Sequence, residues 1–124
     1  MTSAATLMLI GRVIFGLFFA VAGIRNFADF KGRIATSGTN YGWKLPVPLL
    51  AVGFAIQLVG GLALVFGIGV VPAVAALILF LIVATALFHN ALMFPRGERD
   101  LHIYLILVNV TLASGLLMIA ATAI

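Results

Sequence analysis

The chain has 124 residues, of which 65% are hydrophobic and only 8% are charged, with a net charge of +4. Soluble domains carry about 25% charged residues, so the composition excludes a water-soluble globule and predicts one integral membrane domain over residues 1–124. The absence of cysteine excludes disulfides, Fe–S clusters and thiolate metal sites. The basic residues cluster in two short loops, which indicates a signal for membrane orientation and not a nucleic-acid partner.

The first predicted membrane helix covers about residues 4–27 and contains one charge, Arg12. Residues 20–22 look like a signal-peptide cleavage site, but Arg12 interrupts the apolar region and no basic residue precedes it. We therefore interpret this segment as a retained membrane helix. The connection that follows, residues 28–45, mixes apolar and charged side chains, which predicts a short interfacial helix and then a turn at residues 37–40. The candidate interfacial residues are Arg25, Lys31, Arg33, Tyr41 and Trp43.

Residues 45–88 contain no charged side chain. A crossing needs about 20 residues, so this stretch accommodates two crossings, with the reversal at residues 67–72. The pattern predicts a second helix over about 46–67 and a third over about 73–94, ended by Pro95, and a fourth over about 101–124. Because backbone groups in lipid must be paired internally, we expect an all-α, polytopic, antiparallel four-transmembrane-helix bundle.

The distribution of basic residues predicts the orientation. They lie in the first and third connections and are absent from the second. An even number of crossings places the two basic loops on the same side, which the positive-inside rule assigns to the cytoplasm. Both termini are then predicted to lie outside the cytoplasm, on the periplasmic side of a bacterial inner membrane.

Small residues share a helical face with polar residues in the first two predicted helices. These positions are Arg12, Gly16, Ala20, Gly23 and Phe27 in the first helix, and Gly53, Gln57, Gly60, Gly61 and Leu64 in the second. Helices associate in lipid through small residues that allow close approach, so we expect these faces to point into the bundle.

Arg12 is a charge within an apolar helix and requires an explanation. Antiparallel folding is expected to bring Gln57, Thr85, Thr111 and Ser114 to a comparable depth, and none of them is an acid. One interpretation is structural: the guanidinium snorkels outward and bonds to Gln57 and backbone carbonyls. The other is functional: it binds an anionic or carbonyl group, such as a quinone oxygen, a lipid phosphate or a carboxylate.

A second polar layer is predicted near the basic loops. It contains Arg25, Asn26, His89, Asn90 and Asn109, with Asp29 and His102 at its edge. The layer is interpreted either as an interhelical hydrogen-bond network or as a proton-handling or ligand-binding site around His89. No nucleophile–base pair, carboxylate pair or metal-ligand spacing is apparent, so we predict no catalytic residues and no metal site, and axial haem binding by the two histidines is disfavoured. The candidate ligand-binding residues are Arg12, Gln57, Thr85, His89, Asn90, Asn109 and Ser114.

Four segments together resemble the DoxX family of small four-helix bacterial membrane proteins. They are residues 11–25, 57–67, 88–90 and 108–117, in that order. The family often has Glu where this chain has Gln57, so an acid that would balance Arg12 is replaced here by an amide. The resemblance implies a four-helix transmembrane bundle and an association with redox complexes, since the family is named for a small subunit of a thiosulfate:quinone oxidoreductase.

Three functions follow as hypotheses. The first is an accessory subunit of a larger membrane redox, respiratory or photosynthetic complex, without catalytic apparatus of its own. The second is a quinone- or lipid-binding component of an oxidoreductase. The third, a small transporter, is disfavoured because no internal repeat and no intramembrane acid is apparent. The expected partners are membrane lipids and other membrane subunits or further copies of the chain.

Overall fold

The computed structural model describes residues 2–124 and is helical, with no β-strand in that range. Its elements are α1 (Ser3–Ala28), α2 (Phe30–Ala35), α3 (Val47–Phe66), α4 (Val70–Phe88), a 3₁₀ turn (Ala91–Met93) and α5 (Arg96–Ala121). In the described part of the chain, the four helices α1, α3, α4 and α5 are long and apolar enough to cross a membrane. The predicted all-α membrane bundle is confirmed, and α2 occupies the position expected for the short interfacial helix.

Helix α3 lies at the centre of the bundle. It packs against α1 on one side and α4 on the other, and α5 packs on the far side of α4. Interhelical contacts show that neighbours are antiparallel: Arg12 and Asn26 of α1 meet Leu64 and Gln57 of α3, respectively. The order α1–α3–α4–α5 leaves α1 and α5 in slight contact, where Phe15 packs against Gly115.

Glycines make the contact between α1 and α3. A Cβ added to Gly16 would lie 2.6 Å from the carbonyl oxygen of Gly61 and 2.7 Å from the backbone nitrogen of Val65. A Cβ on Gly61 would meet the backbone of Ala20, and one on Gly23 would lie 2.7 Å from the backbone nitrogen of Leu58. The two backbones are therefore in direct contact along the face that the spacing of small residues predicts, as association in lipid requires.

The opposite face of α3 packs on α4 through larger side chains. Leu77 lies 3.0 Å from the position of a Cβ on Gly60, and the ring of Phe80 lies 3.3 Å from the same position on Gly53. The most deeply buried large side chains come from all four long helices: they are Phe19, Leu64, Leu77 and Leu116. The core is thus a narrow seam, and most of the large apolar side chains face outward, as expected for a lipid-solvated bundle.

The third membrane helix differs from its predicted range of about 73–94. It begins at Val70, with Gly67 (φ 69°) and Gly69 (φ 60°) making the reversal, and Pro72 lies in its first turn, where a missing N–H has no consequence. It ends at Phe88, because the Asn90 side chain accepts a hydrogen bond from the backbone of Leu92 and begins a 3₁₀ turn.

The fourth membrane helix begins at Arg96, five residues before the predicted start at about 101. Pro95 does not end the third helix but precedes α5, and its carbonyl accepts the N–H groups of Glu98 and Arg99. Glu98 in the first turn interacts favourably with the positive end of the helix dipole. The charged third connection is therefore the first part of a helix.

Residues 37–45 fold into a small hairpin at the end of the bundle that carries the basic loops. Thr39 donates its backbone N–H to Trp43 and Leu45 donates to Ser37, at 2.8 and 3.0 Å, and Gly42 adopts φ 88°. The hairpin docks on the end of α4, because the N–H of Asn40 donates to the carbonyl of Leu87 at 2.8 Å. We call this end, which carries every Lys and Arg except Arg12, the basic end.

The glycine contact predicts a difference between two identical substitutions in α1. Gly16→Ala places a methyl group against the backbone of α3 and is expected to destabilise the bundle by about 1–3 kcal/mol. Gly11→Ala is the matched control. A Cβ at Gly11 would have no atom of another helix within 4 Å in residues 2–124. Thermal unfolding in detergent measures both, and equal melting temperatures for the two variants would contradict the close crossing.

Candidate functional site

A groove of about 860 Å³ lies between α3 and α4, beneath the hairpin. Its walls are apolar side chains between Leu49 and Ile56 of α3 and between Leu79 and Phe88 of α4. The volume lies within the 300–1,000 Å³ that ligand pockets typically have. The groove lies between two membrane helices and is partly open, so its apolar walls can be reached from the side of the bundle.

Polar side chains gather where the groove meets the basic end. They are Asn26, Arg33, Thr36, Ser37, Trp43 and His89. Ser37 is buried and donates to the carbonyl of Ile34 at 2.7 Å, so its hydroxyl hydrogen is already used. The Nε of Arg33, in contrast, is buried and has no hydrogen-bond partner within residues 2–124. The groove therefore joins an apolar wall to a polar mouth that carries a cation.

The sequence-predicted residues are divided between this groove and other places. His89, among the candidate ligand-binding residues, and Arg33 and Trp43, among the interfacial ones, line the groove. The other six candidate ligand-binding residues lie outside its lining. Sequence reasoning missed the apolar wall, because a groove wall has the same composition as any lipid-facing helix surface. It also missed Thr36 and Ser37 as lining residues, because Ser37 was interpreted only as part of a turn and Thr36 precedes that turn.

Arg12 lies far from the groove, at the opposite end of α3. Its Nε donates to the carbonyl of Leu64 at 2.9 Å. In a continuing helix that carbonyl would accept from Ile68, but the N–H of Ile68 donates instead to Ala63 at 3.0 Å. Arg12 thus satisfies a carbonyl that the end of α3 leaves free, and it places a cation at the negative end of the helix dipole.

The expected hydrogen bond between Arg12 and Gln57 is not formed. Gln57 is buried and accepts from the side chain of Asn26 at 2.7 Å, near the basic end. Arg12 meets Leu64, which is seven residues, or about 10 Å, further along α3. The structural interpretation of Arg12 is correct in its carbonyl partner, and the expectation of a common depth with Gln57 is wrong.

One further expectation is also corrected, because Thr85 does not lie at the depth of Arg12. Asn109 donates to the hydroxyl of Thr85 at 2.8 Å, and this bond joins α5 to α4 nearer the basic end than Arg12. Thr111 and Ser114 are exposed, and their hydroxyls donate to the carbonyls of Leu107 and Thr111 of their own helix at 2.8 Å. Such local bonds satisfy a hydroxyl without a neighbouring helix, so these two side chains lie on the outer surface.

The predicted polar layer near the basic end is a set of short interhelical contacts. The Nδ1 atoms of His89 and His102 lie 3.1 Å apart, and Phe94 stacks on His102 with ring centroids 3.5 Å apart. One of the two imidazoles must carry the proton that they share. Asn90 donates to the hydroxyl of Tyr41 at 3.2 Å, which fastens the hairpin to the end of α4.

The side chains that line the groove are suited to binding a ligand. Among the described lining residues, the polar side chains are one amide, two hydroxyls, an indole, an imidazole and a guanidinium, and none is a carboxylate. In residues 2–124, no group of three or more His, Cys, Asp or Glu residues is placed to hold a metal ion. The arrangement suits a molecule with an apolar body and a polar, hydrogen-bond-accepting head.

The role of Arg12 predicts an effect on stability. Arg12→Met removes the donor to the Leu64 carbonyl, and we expect a loss of about 1–3 kcal/mol in the free energy of unfolding. Arg25→Met is the control, because this substitution removes the same charge from an exposed position in the last turn of α1. Unfolding in detergent would measure both variants, and an equal loss would mean that the bond to Leu64 contributes nothing specific.

The family model of DoxX matches residues 7–90, which runs from the second turn of α1 to just past the end of α4. No curated protein and no solved structure matches the chain significantly. The match covers more than half of the chain and includes the α1–α3 contact and every residue of the groove. The chain is therefore an integral membrane protein that belongs to the DoxX family.

Proposed function

We propose that this protein is a non-catalytic membrane component that binds an amphiphile, either a lipid or an isoprenoid quinone, in the groove between α3 and α4. One observation carries the proposal: a single groove joins the apolar walls of two membrane helices to a polar mouth at the basic end. An amphiphile has the same division into an apolar tail and a polar head.

The dimensions support a tail that follows the helix axis. The wall contributed by α4 extends over residues 79–88, which corresponds to about 14 Å at about 1.5 Å per residue. That is about half of the roughly 30 Å hydrocarbon core of a bilayer. A tail in the groove would therefore lie in one leaflet, with its head near Trp43, a residue type that prefers the interface.

The chemistry of the lining supports binding without turnover. Among the described groove residues, His89 is the only imidazole, and its Nδ1 is already paired with His102. A redox partner would have to supply electrons to a bound quinone. By the positive-inside rule, the groove mouth faces the cytoplasmic leaflet of the bacterial inner membrane.

Blocking the groove is expected to remove the bound amphiphile. Val52→Trp and Val83→Trp each add an indole to a groove wall, on α3 and α4 respectively. Val59→Trp is the matched control, since Val59 is an exposed α3 residue outside the groove. Protein purified from membranes in mild detergent is extracted, and the lipids and quinones are quantified by mass spectrometry. We expect at least a fivefold loss of tightly held amphiphile in both groove variants, corresponding to about 1 kcal/mol.

The control determines how this result is interpreted. Val59→Trp should retain the wild-type amphiphile content and the same melting behaviour. Unchanged content in both groove variants would overturn the proposal. An equal loss in all three variants would also count against it, because it would indicate a general effect of indoles on the lipid-facing surface.

A second candidate, an accessory subunit, is favoured by the outer surface of α5. Of the 26 residues of this helix, which the structure describes in full, Leu116 and Ile119 are buried. Contact with α1 is slight, so α5 presents a long apolar face without a neighbour in the described chain. We propose that this face contacts another membrane subunit or a further copy of the chain.

Mass measurement in native conditions tests the second candidate. Protein extracted with several mild detergents is expected to appear with a partner or as an oligomer. Leu107→Trp on the exposed face of α5 should weaken that assembly, and Val59→Trp, on exposed α3, should not. A lone monomer under every mild condition would count strongly against an accessory role.

A further inference from the structure

Arg33 is the cation at the mouth of the groove, and its Nε is the feature that the binding proposal leaves unexplained. The atom is buried and has no hydrogen-bond partner in residues 2–124. A buried donor without an acceptor loses its hydration and gains nothing in return, which is unfavourable and uncommon in native structures. Nε itself is covered, so an acceptor that enters the mouth would supply the missing bond once the Arg33 side chain, which lines the groove, turns toward it.

The charge around Arg33 indicates which acceptor fits. The chain has three acidic residues, Asp29, Glu98 and Asp100, and none of them lines the groove. Asp29 begins α2 and packs over Gly32, where an added Cβ would lie 2.6 Å from its carboxylate oxygens. The mouth therefore has a positive charge without an acid of its own, and it is complementary to an anion.

An anionic head suits this mouth better than a neutral carbonyl does. A guanidinium bonds to phosphate through charge-assisted hydrogen bonds that are roughly twice as strong as neutral ones. A quinone carbonyl would accept the N–H of Arg33 but would leave its charge uncompensated in a half-buried position. Trp43 provides an interfacial indole at the same mouth, whereas the hydroxyl of Thr36 already donates to the backbone carbonyls of Gly32 and Arg33.

We infer that the groove selects an anionic phospholipid, whose phosphate accepts hydrogen bonds from the guanidinium of Arg33 while an acyl chain lies between α3 and α4. The inference rests on the proposed amphiphile-binding function and specifies the class of ligand. Arg33 is then the residue that determines selectivity for the head, and the two helix walls hold the tail.

Two substitutions in α2 separate recognition by Arg33 from general surface charge. Arg33→Gln removes the cation at the mouth, and Lys31→Gln removes the same charge from an exposed position two residues away. The purified full chain is stripped of lipid and placed in bilayer discs that contain equal parts of phosphatidylglycerol and phosphatidylcholine, with ubiquinone added. Lipids that stay bound after mild detergent extraction are counted by native mass spectrometry.

The wild-type protein is expected to retain phosphatidylglycerol over phosphatidylcholine, and Arg33→Gln should lower that ratio about tenfold. Lys31→Gln should leave the ratio within about twofold, because an exposed charge near the membrane acts weakly and without head specificity. Arg33→Lys keeps the charge but lacks the planar fork of guanidinium donors, so it should have an intermediate ratio. If Arg33→Gln does not fold, the ratio of the two lipids retained by Arg33→Lys, compared with wild type, serves as the test.

Several results would overturn the inference. Equal ratios in wild type and Arg33→Gln, an equal fall in Arg33→Gln and Lys31→Gln, or retention of ubiquinone in place of phosphatidylglycerol would each do so. Val83→Trp distinguishes this failure from failure of the proposed function. If that variant loses bound amphiphile while Arg33→Gln keeps the wild-type ratio, the groove binds amphiphiles and Arg33 does not select them. If Val83→Trp also retains everything, both proposals fail.

Discussion

The direct backbone contact between α1 and α3 governs which polar side chains of the bundle can meet. Lipid provides no hydrophobic drive for helix association, so packing has to come from close approach. Gly16 and Gly61 lack side chains at the crossing, and a Cβ at either position would meet the backbone of the other helix. This contact sets how far the two helices are displaced along their axes, and that displacement determines which polar groups can meet.

The polar side chains of the bundle are explained by that displacement. Arg12 reaches the last turn of α3 and bonds to the carbonyl of Leu64, while Asn26, at the other end of α1, bonds to Gln57. Each of these groups is paired with a neighbour, which is what a low-dielectric surrounding demands of a polar atom. An arginine in a membrane helix can therefore be structural, even where its isolation in the sequence suggests a ligand.

The groove differs from these paired sites in one respect. Its walls belong to α3 and α4, but its mouth is completed by α2 and the hairpin, which the bonds from Asn40 to Leu87 and from Asn90 to Tyr41 hold against the end of α4. Arg33 is placed over the groove by this docking and has an unpaired Nε. A cation that the protein itself does not neutralise favours recognition of something outside the chain, and the apolar walls favour a molecule that comes from the membrane.

The sequence alone is enough to establish the membrane class, the number of crossings and the glycine face of α1 and α3, because length, hydropathy and the spacing of small residues act locally along each helix. It also identified His89, Arg33 and Trp43 as residues of interest by their chemical type. Three features emerge only in the folded bundle: Gln57 pairs with Asn26, Thr111 and Ser114 bond within their own helix, and a groove lies between α3 and α4. The reason is physical: apolar helices look alike in sequence, and the axial offset that aligns their few polar atoms arises from contacts between residues distant in the chain.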